Sequence, residues 1–501
     1  MRPIADAVTE GRLVEGHRPW PRAAVDEAAW RAAASRLGGA GWTLSGLWGE
    51  AGTAHLAVLD EDAGAMGVLS LDCPDGAFPS VGAIHAPAIR LERAIFDLFG
   101  LRPEGAPDAR PWLDHGRWGL SHPLGARSEQ SAREPYAFLS AEGEGLHQIP
   151  VGPIHAGIIE PGHFRFHVNG EIVVRLEQRL GYVHKGVEGL MAGADLERAA
   201  RLAGRTSGDS TVAYQLAFAR AAEAALGIEA PPRAHWLRAL MAELERLANH
   251  LGDVGAICND ASFSMMLAHC AVLRERVLRA ADACFGHRLM RDRICPGGVG
   301  VDLDARGEGA LRDLVALLRR RFPPLAALYD GVASLQDRTV GAGVLQPALA
   351  RRFGAGGFVG RASGRAFDAR RNLAYPPYDE LSFSVPALEE GDVDARVRIR
   401  IQEVAESLKL IDEILARLPP GAVRVALPAR AGEGMALVEG FRGDVLVWLR
   451  LDETARVLRC HMRDPSWFLW PLLEAAIADN IVADFPLCNK SFNCSYSGHD
   501  L

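Results

Sequence analysis

The sequence predicts an α+β fold in two parts: a small N-terminal α/β domain with antiparallel strands, then a mainly α-helical domain with small flanking sheets. Three observations carry this reading. Residues 42–71 hold three short apolar runs separated by turn signals rich in Gly, Asp and Glu. Asn169-Gly170 joins two strand-like pieces, a strong two-residue hairpin signal. Beyond residue 230, apolar residues recur at spacings of three and four over long stretches, the mark of amphipathic helices.

The elements follow in order. Residues 25–37 read as a helix. Residues 42–48, 55–59 and 67–71 read as strands, with turns at 49–52 and 60–64. Residues 88–99 read as a second helix, completing an α+β pattern. From Arg102 to about Gln148 the chain turns rich in Pro, Gly and charge, including Pro103, Pro107, Pro111 and Pro123. This stretch reads as a linker wrapping a surface. A second unit starts near Ile149, with strands at 164–168 and 171–176. Leu237, Leu240, Met241, Leu244, Leu247, Ala248 and Leu251 then mark one face of a long helix over 232–253. Residues 311–328 and 393–418 repeat that pattern, and strands return at 422–426 and 444–450. There is no internal repeat.

The totals bound the function. The chain has 501 residues, 49% hydrophobic and 24% charged, ample for a large core and more than one domain. A net charge of −8 gives no basic footprint for nucleic acid. No apolar run reaches the length of a membrane span, and residues 261–273 read as buried core helix. Early Asp6, Glu10 and Glu15 argue against a signal peptide, so a cytoplasmic compartment is expected. The eight cysteines show no C-x-x-C spacing and read as small buried hydrophobes rather than a disulfide framework or zinc site.

Several motifs then point to one family. Leu91-Glu92-Arg93-Ala94-Ile95-Phe96-Asp97-Leu98-Phe99-Gly100 resembles the signature of the small subunit that caps the quinone-site subunit of respiratory complex I, with Ala94 where a third acidic residue is usual. Gly152-Pro153-Ile154-His155, Gly181-Tyr182-Val183-His184-Lys185-Gly186-Val187-Glu188 and Asp337-Arg338-Thr339-Val340-Gly341 resemble the quinone-site subunit itself and the large subunit of group 4, formate-hydrogenlyase-type nickel–iron hydrogenases. So do Arg361-Ala362-Ser363-Gly364, Gly391-Asp392-Val393-Asp394-Ala395-Arg396, Glu439-Gly440-Phe441-Arg442-Gly443 and Arg463-Asp464-Pro465-Ser466. The resemblance implies a domain like the small capping subunit at 1–115, a linker at 116–148, and a domain like the quinone-site subunit and hydrogenase large subunit at 149–501.

What the resemblance implies about metal is unusual. A nickel–iron centre needs four soft thiolates. The first cysteine pair of the hydrogenase pattern falls here at Ser207 and Ser210, and the second at Ser495 and Gly498. A histidine usual four residues after the first pair is Tyr214. Cys494 lies one residue from a ligand position, and the chain ends at Leu501 without the extension that nickel insertion usually removes. The resemblance thus implies no nickel–iron centre, with metal ligands absent from this chain. In the complex I pattern, a quinone-contacting histidine and tyrosine fall at Ile159 and Gly208, and the acidic partner of that histidine survives as Asp260.

A polar cluster is expected to converge on one cavity: His184 and Glu188, then Arg205, Ser207, Asp209, Ser210 and Tyr214, then Asn493, Ser495 and Tyr496. Glu188 matches a proton relay of hydrogenases. It would transfer protons if burial raises its pKa; the alternative is an ion pair with Lys185 or Arg205. His184 reads as a structural histidine. Asp209, with His184, Glu188 or Cys494, forms a mixed metal site only in a reading ranked below a metal-free cavity. Gly297-Gly298-Val299-Gly300 lacks the Lys-Ser/Thr of a P-loop and reads as a tight turn. Arg319, Arg320 and Arg321 read as a solvated face or partner contact, and Trp467, Phe468 and Trp470 as core or interface anchors.

Two functions stand. In the first, the chain is the core large subunit of a membrane-bound, complex-I-like electron-transfer complex that couples redox chemistry to ion translocation. The expected partners are an iron–sulfur small subunit, which carries the cluster, and antiporter-like membrane subunits. The chain would sit peripherally on the cytoplasmic side of the membrane. In the second, it is a non-catalytic scaffold or assembly subunit of such a complex.

Overall fold

The computed structural model describes residues 11–39, 41–129 and 135–501. Asp6 and Glu10 lie outside the described residues. A five-stranded sheet opens the chain, ordered Arg12–Leu13, Arg22–Val25, Ala65–Asp72, Thr53–Asp60 and Thr43–Glu50. The three expected strands form an antiparallel meander, and Arg22–Val25 joins it in parallel to Ala65–Asp72. The helices Glu27–Gly38 and Ile89–Phe99 fall where the sequence placed them. Asp26 caps the first, accepting the Ala29 N–H.

The Asn169-Gly170 hairpin forms as expected, joining His163–Asn169 to Ile172–Arg179. A third strand, Leu146–Val151, pairs with the first of these and crosses from the linker stretch into the second unit. Long helices follow. Pro232–Asp260 has 29 residues, about 44 Å of rise, with Pro232 pre-set for the first turn. It packs against Ser264–Phe285 and Val393–Arg417.

Three expectations need correction. Residues 311–328 are two helices, Ala305–Arg321 and Pro323–Gly331, because Pro323-Pro324 remove backbone donors and stop the first. Residues 422–426 form no strand; only Arg424 makes a bridge, to Gly298. Residues 261–273 are not one helix, since a turn separates Asp260 from Ser264, and Met265 and Val272 are exposed.

A second sheet, ordered Val457–Arg463, Asp444–Leu451, Gly432–Glu439 and His17–Arg18, ties the early chain to its C-terminal part. The helix Thr211–Leu226 lies across it so closely that a Cβ at Gly434 would stand 2.0 Å from the Ala221 carbonyl oxygen. Gly297 forms part of a tight hairpin turn, as the sequence implied. All eight cysteines are free thiols, seven of them buried. Trp467, Phe468 and Trp470 sit in a core shared with the N-terminal sheet and the helix Ile89–Phe99. No helix among the described residues is long and apolar enough to cross a membrane.

Candidate functional site

Three segments build the first cluster. Residues 205–210 lead into the helix Thr211–Leu226, whose first N–H groups at Val212 and Ala213 are accepted by Glu245 at 2.7 and 3.1 Å. The turn at 440–443 supplies Arg442. The short helix Tyr496–Asp500 is capped by Ser495, whose Oγ accepts the Gly498 N–H at 2.9 Å.

Asp209 is the hub. Its carboxylate accepts Ser207 Oγ at 2.7 Å and Ser210 Oγ at 3.2 Å, and pairs with Arg442 Nη2 at 2.6 Å. Burial opposes its charge, but Arg442 and the two hydroxyls outweigh that and hold its carboxyl below the usual range. Ser207 and Ser495 hydroxyls lie 3.0 Å apart. Arg442 also donates to Ser210 Oγ at 3.1 Å and to the Asn493 carbonyl at 2.5 Å. The hydroxyls are therefore tied into an ion-paired network.

Asp464 completes it. It accepts the buried Tyr214 hydroxyl at 2.7 Å and the Ser466 N–H at 2.8 Å. Burial and Asp464 together push the Tyr214 phenol well above its usual pKa. The same carboxylate occupies the space a side chain would need at residue 498. A Cβ on Gly498 would meet Asp464 Oδ2 at 2.3 Å and Ser495 Oγ at 2.8 Å. Cys494 is buried, and burial drives its thiol far above the usual range. Asp209 also borders a cavity of about 120 Å³ with Asn249, which donates to its carbonyl at 2.8 Å.

The second cluster centres on Glu188. Strand alternation places Arg459 and His461 on one face of Val457–Arg463. Arg459 Nη1 stands 2.8 Å from Glu188 Oε2, and His461 Nδ1 lies 2.9 Å from Oε1. The Met462 N–H donates to the same oxygen at 3.0 Å. Burial works against ionisation, yet Arg459, His461 and this N–H bring the Glu188 pKa down to about 2. Glu188 thus pairs with Arg459 and His461, not with Lys185 or Arg205, and the upward push of burial on its pKa is outweighed. His461 stacks on Trp48 of the first sheet, with ring centroids 4.9 Å apart. A largely apolar cavity of about 330 Å³ lies beside this cluster, between the helix Ile89–Phe99 and the loop carrying His184.

The side chains of the other expected residues make their hydrogen bonds outside these two networks. His184 lines the larger cavity, with Nδ1 2.6 Å from the Asp500 carbonyl and its ring on Trp118. Lys185 donates to the Thr206 carbonyl at 2.6 Å. Arg205 turns outward to an exposed pair with Asp292 at 2.6 Å. Asp260 ends its helix near Lys490; burial raises its carboxyl and Lys490 partly offsets that. Tyr496 faces His155 at 3.3 Å, and Asn493 donates to Asp253 at 3.0 Å. Ile159 packs at the edge of the core and Gly208 lines the cavity by Asp209. Arg442, Asp464, Arg459 and His461 carried no role in the sequence reading. The first two lay inside motifs quoted only as marks of resemblance.

Comparison with known proteins shows what the whole chain is similar to. The model of the respiratory-chain NADH dehydrogenase 49 kDa subunit matches residues 260–430 and 424–500, and that of the 30 kDa subunit matches 53–134. Formate hydrogenlyase subunit 5 of Escherichia coli is 31% identical over 86% of this chain and 78% of its own length. The carbon monoxide-induced hydrogenase of Rhodospirillum rubrum is 34% identical over 69% of this chain and 96% of its own. An NADH-quinone oxidoreductase subunit of Syntrophobacter fumaroxidans is 31% identical over 70% of this chain and 95% of its own. A chain of the membrane-bound sulfane sulfur reductase, an archaeal respiratory membrane complex, superposes with a TM-score of 0.68 at 26% identity, covering 72% of this chain and 99% of that one. The chain belongs to the family that joins hydrogenase large subunits to the 49 kDa subunit of respiratory NADH dehydrogenase, with a 30 kDa-subunit-like unit ahead of it.

Proposed function

We propose that this chain is the core large subunit of a membrane-bound, complex-I-like oxidoreductase complex that works without a nickel–iron centre. The observation that carries this is the closed network around Asp209 and Asp464. Serine hydroxyls are hard, weakly acidic donors, poorly matched to nickel. At Gly498 the space for a thiolate is taken by the Asp464 carboxylate. This donor set does not fit the metal, and Arg442 supplies a fixed positive charge in its place.

In this reading the iron–sulfur cluster resides in a small partner subunit. Antiporter-like membrane subunits couple the redox step to ion movement, and this chain sits peripherally on the cytoplasmic face of the membrane. Affinity purification of the natively expressed chain tests it. Recovery of an iron–sulfur protein with antiporter-like membrane proteins is expected; recovery of neither sinks the proposal.

A second reading, a non-catalytic scaffold, is favoured by one observation: Glu188 is pinned in its ionised state by Arg459 and His461. Glu188→Gln and Asp209→Asn in the assembled complex separate the two. A scaffold keeps turnover and coupling in both variants, whereas a redox subunit loses one or the other.

A further inference from the structure

A cavity of about 400 Å³ lies apart from both clusters, where the helix Thr211–Leu226 meets the strand Gly432–Glu439 and the turn at 373–376. Trp20, Ile228, Tyr375 and Leu437 give it apolar walls. Arg220 lines it, half-buried, with its guanidinium 4.7 Å from the centre of the Tyr375 ring. It has no ion-pair or hydrogen-bond partner among the described residues. Glu223 and Asp379 are near enough to favour its charge, but neither pairs with it. Glu223, on the same wall, is already committed to Arg238 at 2.5 and 3.0 Å and to the Gly297 N–H at 2.8 Å. Glu229 stands at the exposed rim. His235 is 7% exposed, yet neither ring nitrogen has a hydrogen-bond partner. The Ala230 backbone approaches the ring without closing a well-formed bond.

These features describe a site with one side missing. A half-buried guanidinium without a paired counter-charge, at the wall of a cavity, is a ready partner for an entering anion. A buried imidazole without a partner is likewise an exception that asks for one. Burial lowers the His235 pKa to about 4, so near neutral pH it is a neutral ring with one N–H to donate. The planar guanidinium suits a two-oxygen head such as a carboxylate or phosphoryl group. The volume and apolar walls match small-molecule sites in general.

We propose that this cavity binds a small anion with a flat apolar body, its carboxylate or phosphoryl head on Arg220 and His235 and its body against Trp20 and Tyr375. The inference is independent of the redox reading. Saturation-transfer NMR titrations of the full chain with benzoate and phenyl phosphate test it, with benzamide and benzylamine as neutral and cationic controls. Saturable binding of at least one anion is expected, about tenfold tighter than either control. The tighter anion identifies the head group. Arg220→Gln should weaken binding about tenfold at an unchanged melting temperature, and Arg220→Lys should restore part of it. Ile228→Trp, at a half-exposed wall position, should block the cavity and abolish binding without touching the charge. The proposal fails if neither anion saturates, if benzylamine binds best, or if the folded Arg220→Gln and Ile228→Trp variants both bind like wild type.

Discussion

Gly498→Ala is the smallest change that probes the closed network. The new methyl would stand 2.3 Å from Asp464 Oδ2, 2.7 Å from its Cγ and 2.8 Å from Ser495 Oγ. Either the backbone gives way, an overpacking cost of about 1–3 kcal/mol, or Asp464 swings out and loses the 2.7 Å bond from Tyr214. A hydrogen bond to a charged acceptor contributes about 1.5–3 kcal/mol. Both routes converge on a loss of about 2 kcal/mol. Urea unfolding reads it through tryptophan fluorescence, since Trp467 stacks on His499 at 4.0 Å and Trp470 donates to the Ser495 carbonyl. The control is Asp464→Ala, in which the obstruction is gone. There the added methyl should cost less than about 1 kcal/mol, leaving a coupling of more than about 1 kcal/mol between the two positions. A Gly498→Ala protein as stable as wild type, or one equally destabilised with and without Asp464, refutes the claim that this carboxylate fills the ligand space.

Three further outcomes follow from the same geometry. Tyr214→Phe should cost about 2 kcal/mol in urea midpoint measurements, because Asp464 then keeps only the Ser466 N–H of the two donors described above. Arg442→Met should destabilise by about 2–4 kcal/mol, since Asp209 and the Asn493 carbonyl both lose a donor; Asp209→Asn in the same background should recover part of it. Glu188 has its pKa lowered to about 2 against an ordinary 4.5. Its stabilising contribution is therefore complete above about pH 4.5 and is lost as pH falls towards 2. Glu188→Gln should flatten that acid limb of the stability–pH curve, and an unchanged limb would show that the carboxylate is not held ionised.

Much of the fold was legible because periodicity maps directly onto burial. The helix over 393–418 and the hairpin at Asn169-Gly170 differ from the observed elements by a few residues at most. The misses have physical reasons. The strand Gly432–Glu439 gives no clear strand signal in the sequence because two glycines weaken its pattern. Those glycines are required by the helix lying 2.0 Å from where their Cβ atoms would be. The double proline at 323–324 interrupts a helical spacing of apolar residues that otherwise looks continuous from 311 to 328.

The site was legible in outline only. Motif alignment brought Ser207, Ser210, Ser495 and Gly498 to one place, and Ser207, Asp209, Ser210 and Ser495 do share hydrogen bonds. Spacing could not reveal that Arg442 and Asp464 reach in from distant turns, because nothing local distinguishes a charge aimed inward from one in solvent. Nor could it show that Arg205, adjacent to the cluster in sequence, turns away to Asp292.

In the proposed function, the Asp209–Arg442 and Tyr214–Asp464 network stands in place of a nickel–iron centre. Nickel and iron content per chain, measured by mass spectrometry on protein purified natively with its partners, tests this most directly. Nickel far below one atom per chain is expected, with iron rising only in proportion to any iron–sulfur protein that co-purifies. Nickel approaching one atom per chain would contradict it and would require Ser207, Ser210, Ser495 or Cys494 to serve in an unfamiliar ligand set.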